Sequence, residues 1–514
     1  MNADTRGSSM TTQDIQQSRL QALTFASASA QAQALADGHV TAVELLEHVL
    51  ARIDRLDGAI NAVAVRNDEA ARADARAADA ALARGERQPL LGVPITVKAS
   101  FDVAGLVTSN GNPAYADNVA ATDALAVSAL REAGAVIVGK SNVPLALADL
   151  QSYNAIHGTS NNPWDLARTP GGSSGGSAAA LAAGYVSLEL GTDIGGSIRI
   201  PAHFNGVYGH KPTAGLVALG GTGVPSGRLA DRDLVVAGPL ARTAADLELA
   251  LDLLLNREPI AAKAWKVALP PARHARLRDF RVLVIDQWPG TERSLHEQQV
   301  VERLVERLRT QGTQVSHIAD VPAGLLPDLV LQHRVYRSLL GSSLASPPAQ
   351  SEAARQRLAA LSPDDDSADA AWLRAPALRH ADWLRDNEAR FALRHQWERL
   401  FGRFDVVVTP VAPLPAFAHD QREPKDARTF PVEFADGTRQ VRFLDLFYWA
   451  GLPVLPGLPA TSFPLGLDAQ GLPISAQAVG PYLEDRTTLH FAHLLEQAYG
   501  GFVAPPGYDE QPAG

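Results

Sequence analysis

Hydrophobic residues recur along this chain at helical spacing in some segments and as short continuous runs in others. After Thr41, apolar residues return every three or four positions, and Thr41 with Glu44 has the spacing of a capping box, so a helix is predicted to begin there. A second, Ala-rich helix is predicted over about Asp68–Arg84, ending at Gly85. Short apolar runs between such segments indicate strands.

Strands and helices are predicted to alternate through the rest of the chain. The predicted strands are Val93–Val97, Ala135–Val138, Val186–Leu190, Val282–Ile285, Val406–Thr409 and Pro473–Val479. The predicted helices are Asp123–Glu132, Ser177–Ala183, Thr243–Leu255, in which Thr243 and Asp246 have capping-box spacing, and one that starts at Asp485. Such alternation is typical of an α/β fold with a mixed β-sheet.

One large domain is predicted. Residues 1–27 look loose and are expected to be a flexible N-terminal tail. Residues 28–505 contain neither an internal repeat nor a low-complexity linker and are predicted to form a single domain. Within it, residues 322–400 combine an acidic run with many Ala, Arg and aromatic residues, which predicts helices and loops outside the sheet that shape substrate access.

Composition narrows the function classes. Of the 514 residues, 46% are hydrophobic and 20% are charged, and the net charge of −10 gives no support to nucleic-acid binding. Because the chain has no cysteine, disulfides, thiolate metal sites and a cysteine nucleophile are excluded. The polar N-terminus lacks the apolar core of a signal peptide, and the longest apolar run, Ala178–Leu190, is too short to span a membrane. A cytoplasmic protein without membrane contact is expected.

Candidate chemistry lies in two glycine- and serine-rich loops and one lysine. The loops are Gly171–Ser177 and Asp193–Arg199, and Lys98 follows the strand predicted at Val93–Val97. A serine becomes a good nucleophile when a neighbouring base removes its proton, and a neutral lysine is one such base. Backbone N–H groups of a glycine-rich loop can hold the oxyanion of an acyl-transfer intermediate. These residues together predict a serine hydrolase site.

The same motifs resemble the amidase signature family, and the resemblance covers about residues 30–500. Its densest part runs from Gly171 to Thr213, and it is flanked by Gly92–Lys98, Gly139–Asn142 and Gly238–Thr243. The resemblance implies a single large mixed and twisted β-sheet surrounded by α-helices. It also implies hydrolysis of an amide C–N bond through a Ser–cis-Ser–Lys triad.

The resemblance assigns the triad to named residues. It makes Ser197 the nucleophile, Ser173 the bridging serine and Lys98 the base, with a cis peptide bond between Gly172 and Ser173. The oxyanion hole would be formed by the backbone amides of Ile194, Gly195, Gly196 and Ser197. Supporting hydrogen bonds are expected from Ser174 and Thr192, and Asp193 and Arg199 are expected to hold the glycine turn.

Other catalytic motifs fit less well. The first loop satisfies the G-x-S-x-G pattern of a nucleophile elbow, which requires a strand directly before it, but Asn161–Pro170 reads as a loop. A phosphate-binding loop would need Gly-Lys-Ser/Thr after the glycines. His296-Glu297 lacks the second histidine of a zinc helix, and neither a metal nor a cofactor is expected.

The predicted function is that of a stand-alone amidase acting on a small, neutral, aryl or alkyl carboxamide, with esterase activity and carbamate turnover by the same chemistry. The alternative within the family is the A subunit of a glutamyl-tRNA amidotransferase, which releases ammonia from glutamine for a partner protein, although Leu331–Arg390 does not resemble its glutamine pocket. A non-enzymatic binding protein would require a broken triad. Homodimerisation stays open.

The substrate pocket is predicted near one aromatic stretch. It contains Phe443, Phe447, Tyr448 and Trp449, which could line an acyl or aryl pocket, and an amphipathic core helix explains them almost as well.

Overall fold

The computed structural model describes residues 11–344 and 352–509. Its strands are β1 (Val63–Arg66), β2 (Pro94–Lys98), β3 (Val136–Ser141), β4 (Tyr153–Asn154), β5 (Gly158–Thr159), β6 (Leu188–Asp193), β7 (Tyr208–Lys211), β8 (Val236–Ala241), β9 (Arg281–Val284), β10 (Gln314–His317), β11 (Val406–Pro410), β12 (Thr429–Phe434), β13 (Gly437–Arg442), β14 (Ala460–Leu467) and β15 (Pro473–Val479).

The α-helices surround these strands. They are α1 (Thr12–Leu23), α2 (Ala28–Ala36), α3 (Ala42–Ile60), α4 (Asp68–Ala83), α5 (Leu125–Glu132), α6 (Gly175–Ala182), α7 (Arg199–Asn205), α8 (Ala244–Leu254), α9 (Leu295–Thr310), α10 (Leu329–Ser343), α11 (Glu352–Ala360), α12 (Ala368–Arg374), α13 (His380–Phe401), α14 (Tyr448–Gly451) and α15 (Asp485–Tyr499).

Eleven strands form one mixed sheet, in the order β1-β3-β2-β6-β8-β7-β14-β15-β11-β9-β10. Strand β2 runs parallel to β3 and β6, and β9 runs parallel to β10 and β11, whereas the other neighbours are antiparallel. The main hydrophobic core packs the sheet against α3–α6, α8, α9 and α15. The predicted α/β fold with one large mixed sheet surrounded by helices is confirmed.

Several predicted boundaries are confirmed by the capping contacts. Thr41 and Glu44 form the capping box of α3, with Thr41 Oγ1 accepting from the Glu44 amide over 3.1 Å. Thr243 caps α8 through the Asp246 amide, but the Asp246 carboxylate accepts hydrogen bonds from the amides at the start of α2 instead of completing a box, over 2.7 Å from Ala28. A tertiary contact therefore replaces the second half of the predicted local motif.

The segment predicted as a flexible N-terminal tail contains helix α1. Residues 1–10 lie outside the described residues, but Thr11 caps α1, and the side chain of Gln16 donates to Glu44 of α3 over 2.9 Å. Arg19 donates to the carbonyl oxygen of His39 over 3.2 Å. Polar side chains of α1 are therefore hydrogen-bonded to the domain, and the flexibility of the tail stays a prediction.

The described parts of residues 322–400 are largely helical and lie outside the sheet, and a role in substrate access stays a prediction. It contains α10, α12 and most of α13, which pack on one another, and α10 also contacts α14. Gln332 of α10 donates to the carbonyl oxygen of Leu452 over 2.8 Å, and Trp397 of α13 donates to Gln332 over 2.7 Å. This anchoring holds α10 against the segment that follows β13.

Candidate active site

Adjacent parallel strands bring the lysine and the two serine loops together. Strand β2 is buried at all five positions between β3 and β6, and Lys98 is its last residue. Strand β6 ends at Asp193 and leads through a glycine turn into α7, with Ser197 in the turn. Ser173 lies in the loop that leads into α6. The carboxyl ends of neighbouring parallel strands meet at one edge of the sheet, so Lys98 and the turn with Ser197 come together there. Hydrogen bonds from Lys98 to Ser173 and from Ser174 to Ser197 join the Ser173 loop to them.

Lys98 is completely buried and has three hydrogen-bond contacts. Its Nζ lies 2.7 Å from Ser173 Oγ, 2.8 Å from Thr192 Oγ1 and 3.3 Å from the Thr192 carbonyl oxygen. The contact to Ser173 is one across which a proton can pass. Thr192, predicted as a support, fixes the amine from the opposite side.

Burial lowers the pKa of Lys98 to about 7, and the negative charges of Asp193 and Glu189 act in the opposite direction. An ordinary lysine has a pKa of about 10.4 and is almost entirely protonated at neutral pH. A lysine with a pKa near 7 has a large neutral fraction there. Its lone pair can then accept a proton from Ser173.

The loop around Ser173 has the predicted cis peptide bond between Gly172 and Ser173. A Cβ atom at Gly172 would lie 2.5 Å from the carbonyl oxygen of Asp149 and 2.7 Å from the amide nitrogen of Gln151. Only glycine fits at this position, because the segment at Asp149–Gln151 packs directly on the backbone. The stretch before the loop is not a strand, which agrees with the rejection of a nucleophile elbow.

Ser197 is the more accessible serine. It is 7% exposed, against 2% for Ser173, and its hydroxyl has no hydrogen-bond partner in the part of the chain that the structure describes. The two loops are joined through the backbone, because the amide of Ser174 donates to the carbonyl oxygen of Ser197 over 3.2 Å. Across residues 11–344 and 352–509, no hydrogen bond links the hydroxyls of Ser173 and Ser197.

A buried ion pair holds the glycine turn, as expected for Asp193 and Arg199. The Arg199 guanidinium donates to both carboxylate oxygens of Asp193, over 3.1 and 3.0 Å, and both side chains are fully buried. Burial alone would raise the pKa of Asp193, but Arg199 holds it below its ordinary value. The carboxylate also accepts from the amides of Gly196 and Ile198, over 2.8 and 3.1 Å.

These bonds correct the predicted oxyanion hole. Because the Gly196 amide already donates to Asp193, it does not point into the site. The amides of Ile194, Gly195 and Ser197 have no acceptor within the described residues, and all three belong to the turn that carries the accessible serine. The Gly196 amide is therefore removed from the predicted set of four, and an oxyanion hole formed by the other three amides stays a prediction.

Comparisons with known proteins show the family to which the chain belongs. The family model Amidase matches residues 44–489. The putative amidase AmiB2 of Mycobacterium tuberculosis (strain ATCC 25618 / H37Rv) is 36% identical over 485 residues, covering 93% of this chain and 96% of that protein. The A subunit of the glutamyl-tRNA(Gln) amidotransferase of Anaeromyxobacter sp. (strain K) is 33% identical over 487 residues, covering 91% and 95%. The chain belongs to the amidase signature family.

A solved structure supports the same conclusion. The crystal structure of an amidase matches this one with a TM-score of 0.72 at 30% identity, covering 92% of this chain and 100% of that one. The protein is therefore a hydrolase that acts on amide C–N bonds.

The amidase site includes one residue that no sequence motif indicates. Tyr336 of α10 donates its hydroxyl to the carbonyl oxygen of Ile194 over 3.2 Å. A Cβ atom at Gly195 would lie 2.8 Å from that hydroxyl and 3.3 Å from the ring of Phe447. The helical region at residues 322–400 thus contacts the loop of free amides directly. Helical spacing alone could not distinguish Tyr336 from any other buried aromatic residue.

The four aromatic residues predicted for the amidase pocket have different surroundings. Phe447 is half-buried beside Gly195, and Tyr448 stacks on Trp288. Phe443 and Trp449 are 5% and 2% exposed and belong to hydrophobic clusters, with the Trp449 indole donating to Glu297 over 2.6 Å. Phe443 and Trp449 are therefore buried in the core, whereas Phe447 contacts the glycine turn at Gly195, and the substrate pocket stays a prediction.

Among residues 11–344 and 352–509, no group of three or more His, Asp or Glu side chains is arranged to hold a metal ion. Likewise, none of the helices in residues 11–344 and 352–509 has the length and apolar character that crossing a membrane requires.

Proposed function

We propose that this protein is a stand-alone amidase that hydrolyses small, neutral, aryl or alkyl carboxamides through an acyl-enzyme on Ser197. One observation carries the proposal. A fully buried lysine, whose pKa is about 7, hydrogen-bonds Ser173, and the neighbouring glycine turn carries Ser197 and three backbone amides that have no acceptor among the described residues. Base, bridging hydroxyl, nucleophile and oxyanion hole are the parts that acyl transfer requires.

In the proposed mechanism, neutral Lys98 accepts the proton of Ser173 while Ser173 accepts the proton of Ser197. A hydroxyl can donate and accept at once, which suits Ser173 to this role. Ser197 Oγ bonds to the carboxamide carbon, and the electron pair of the C=O bond moves to oxygen, near the amides of Ile194, Gly195 and Ser197.

Collapse of this intermediate breaks the C–N bond. The proton returns from Lys98 through Ser173 to the leaving amine nitrogen, which departs as a neutral amine. Water then attacks the acyl-enzyme by the same proton route and releases the carboxylic acid. Esters and carbamates pass through comparable tetrahedral oxyanions, so we propose that they are also turned over.

The neutral and apolar substrate class rests on the surroundings of Gly195. The hydroxyl of Tyr336 and the ring of Phe447 lie at this residue, where the acyl or amine group of a bound amide would be. Aromatic rings favour apolar groups and stack on aryl groups. A neutral aryl or alkyl amide therefore suits the site.

The second candidate is the glutaminase component of a tRNA-dependent amidotransferase, because the Anaeromyxobacter relative has that name. Free glutamine carries an ammonium and a carboxylate, which the uncharged Tyr336 hydroxyl and Phe447 ring at Gly195 would not neutralise. Glutaminase activity with a low KM and no activity on aryl or alkyl amides would favour this alternative.

The test combines a covalent probe with a substrate panel. A fluorophosphonate should label Ser197 in the folded protein, and one equivalent should abolish activity. The panel would contain aliphatic amides, anilides, amino-acid amides, glutamine, esters and carbamates. Labelling of Ser197 with turnover of neutral amides supports the proposal, whereas labelling at another residue, or no labelling, would contradict it.

A further inference from the structure

A second buried acid lies beside the lysine. Glu189 is on β6, directly opposite Thr96 of β2 in the parallel pairing, and it is 1% exposed. Thr96 and Lys98 are two residues apart on β2 and therefore point to the same face of the sheet. Since Thr96 Oγ1 donates to Glu189 Oε1 over 2.5 Å, the Glu189 carboxyl lies on the face that carries Lys98.

Several polar groups surround the Glu189 carboxyl. Its Oε2 accepts from the Leu190 amide over 3.2 Å, and the hydroxyls of Ser141 and Ser177, themselves 2.8 Å apart, act to lower its pKa against the effect of burial. Ser177 belongs to α6, the helix that follows the Ser173 loop. One of the groups that act on Glu189 therefore lies on the helix next to the Ser173 loop.

The charge of Glu189 differs from that of Asp193, the other acid that acts on Lys98. Asp193 is ion-paired with Arg199 through a bidentate contact, and its charge still raises the pKa of Lys98, ahead of the charge of Glu189. Within residues 11–344 and 352–509, Glu189 has no salt bridge. An unneutralised carboxylate in a low-dielectric interior acts strongly on a nearby amine.

We propose that Glu189 is a positioning residue that sets the protonation state of Lys98, a role that rests on the proposed function. When Glu189 is ionised it stabilises protonated Lys98, and when it is neutral it favours the amine that acts as a base. Burial raises the pKa of Glu189 to about 7, against the hydrogen bonds from Thr96, Ser141 and Ser177, so both groups change charge in the same pH range.

The test measures the pH dependence of fluorophosphonate labelling at Ser197, which needs no natural substrate. Glu189→Gln removes the charge, lowers the pKa of Lys98 and should move the acidic limb of the labelling rate to lower pH by about 0.5 to 1 unit. Thr96→Val removes a donor that favours the carboxylate and should move the limb in the same direction by less. The double variant should match Glu189→Gln alone, because both act through one charge.

The matched control is Glu297→Gln, which changes another buried carboxyl, hydrogen-bonded to Trp449 and not facing Lys98. Glu297→Gln should lower the free energy of unfolding and leave the acidic limb of the labelling rate at the same pH. An unmoved limb in folded Glu189→Gln, a shift to higher pH, or an equal shift in Glu297→Gln would overturn the proposal. If Glu189→Gln does not fold, the pH shift of the acidic limb of the labelling rate in Thr96→Val tests the proposal instead. A wild-type protein that is not labelled at Ser197 would instead refute the proposed function.

Discussion

The hydroxyl of Tyr336 donates to the carbonyl oxygen of Ile194 over 3.2 Å and so connects a helix outside the sheet to the loop that carries Ser197. Tyr336 is 1% exposed, and its ring also packs on Gly451, where an added Cβ would lie 2.5 Å from the ring. The loop is therefore held on one side by the Asp193–Arg199 ion pair and on the other by Tyr336.

Tyr336→Phe should lower kcat for amides by about threefold to tenfold with little change in KM, because one hydrogen bond that orients the loop is lost. Affinity for a boronic acid or trifluoromethyl ketone inhibitor should fall by the same factor as kcat/KM. Tyr499→Phe is the control, since Tyr499 also donates to a backbone carbonyl, that of Arg307, over 2.6 Å. Equal losses in both variants would show only general destabilisation.

The proposed triad should behave as one unit. Ser197→Ala should reduce amide turnover by roughly 10⁴-fold or more and Lys98→Ala by a similar factor, while the double variant should lose little more than either single variant. Circular dichroism and thermal unfolding check that the folds are intact. Residual activity within tenfold of the wild type in Ser197→Ala would place the nucleophile elsewhere.

How much of this site the sequence could predict depends on where each contact is encoded. Lys98, Ser173 and Ser197 lie in contiguous motifs, and the cis bond before Ser173 follows from the family resemblance. The engagement of the Gly196 amide by Asp193 depends on the folded turn, which no spacing reveals. Tyr336 was missed because its partner, Ile194, is far away in sequence and α10 carries no motif.

The same difference between local and tertiary signals separates the strands and helices that were predicted from one that was missed. Strand β15 has the predicted bounds and helix α15 starts at the predicted residue, because an apolar run and a helical start at Asp485 are local signals. Strand β8 was missed, since it contains Gly238 and Pro239 and is buried at every position without alternation. Strand β8 forms because it is hydrogen-bonded to both β6 and β7 in the folded sheet.

Ser173 should matter more for amides than for esters. Ser173→Ala removes the hydroxyl that lies 2.7 Å from Lys98 Nζ and with it the proposed route of the proton to the leaving group. An amine leaving group needs that proton, whereas the alcohol of an activated ester leaves without it. The ratio of amide to ester turnover should fall by about tenfold or more. An unchanged ratio would contradict a bridging role.

The pH dependence of activity should report on Lys98. Because burial lowers its pKa to about 7, protonation below that pH removes the base, and kcat/KM for an amide should rise through about pH 7 to a plateau at mildly alkaline pH. In Ser173→Ala, the residual hydrolysis of esters that need no base should no longer change with pH near 7. A wild-type limb centred near pH 10 would mean that Lys98 behaves as an ordinary exposed lysine.

Phe447 and Trp449 provide a paired test of substrate choice, because they are two residues apart and only one reaches the site. Phe447 lies against Gly195, so Phe447→Ala should change the relative kcat/KM values across anilides, alkyl amides and amino-acid amides by about tenfold or more, as expected when apolar contact with one substrate class is lost.

Trp449 is buried with its indole donating to Glu297 over 2.6 Å. Trp449→Phe should therefore cost about 1–3 kcal/mol of stability through the unpaired Glu297 and leave the relative rates unchanged. A uniform rate loss in Phe447→Ala would make that ring a core residue as well, and a change of preference in Trp449→Phe would place the pocket on the opposite side of the segment.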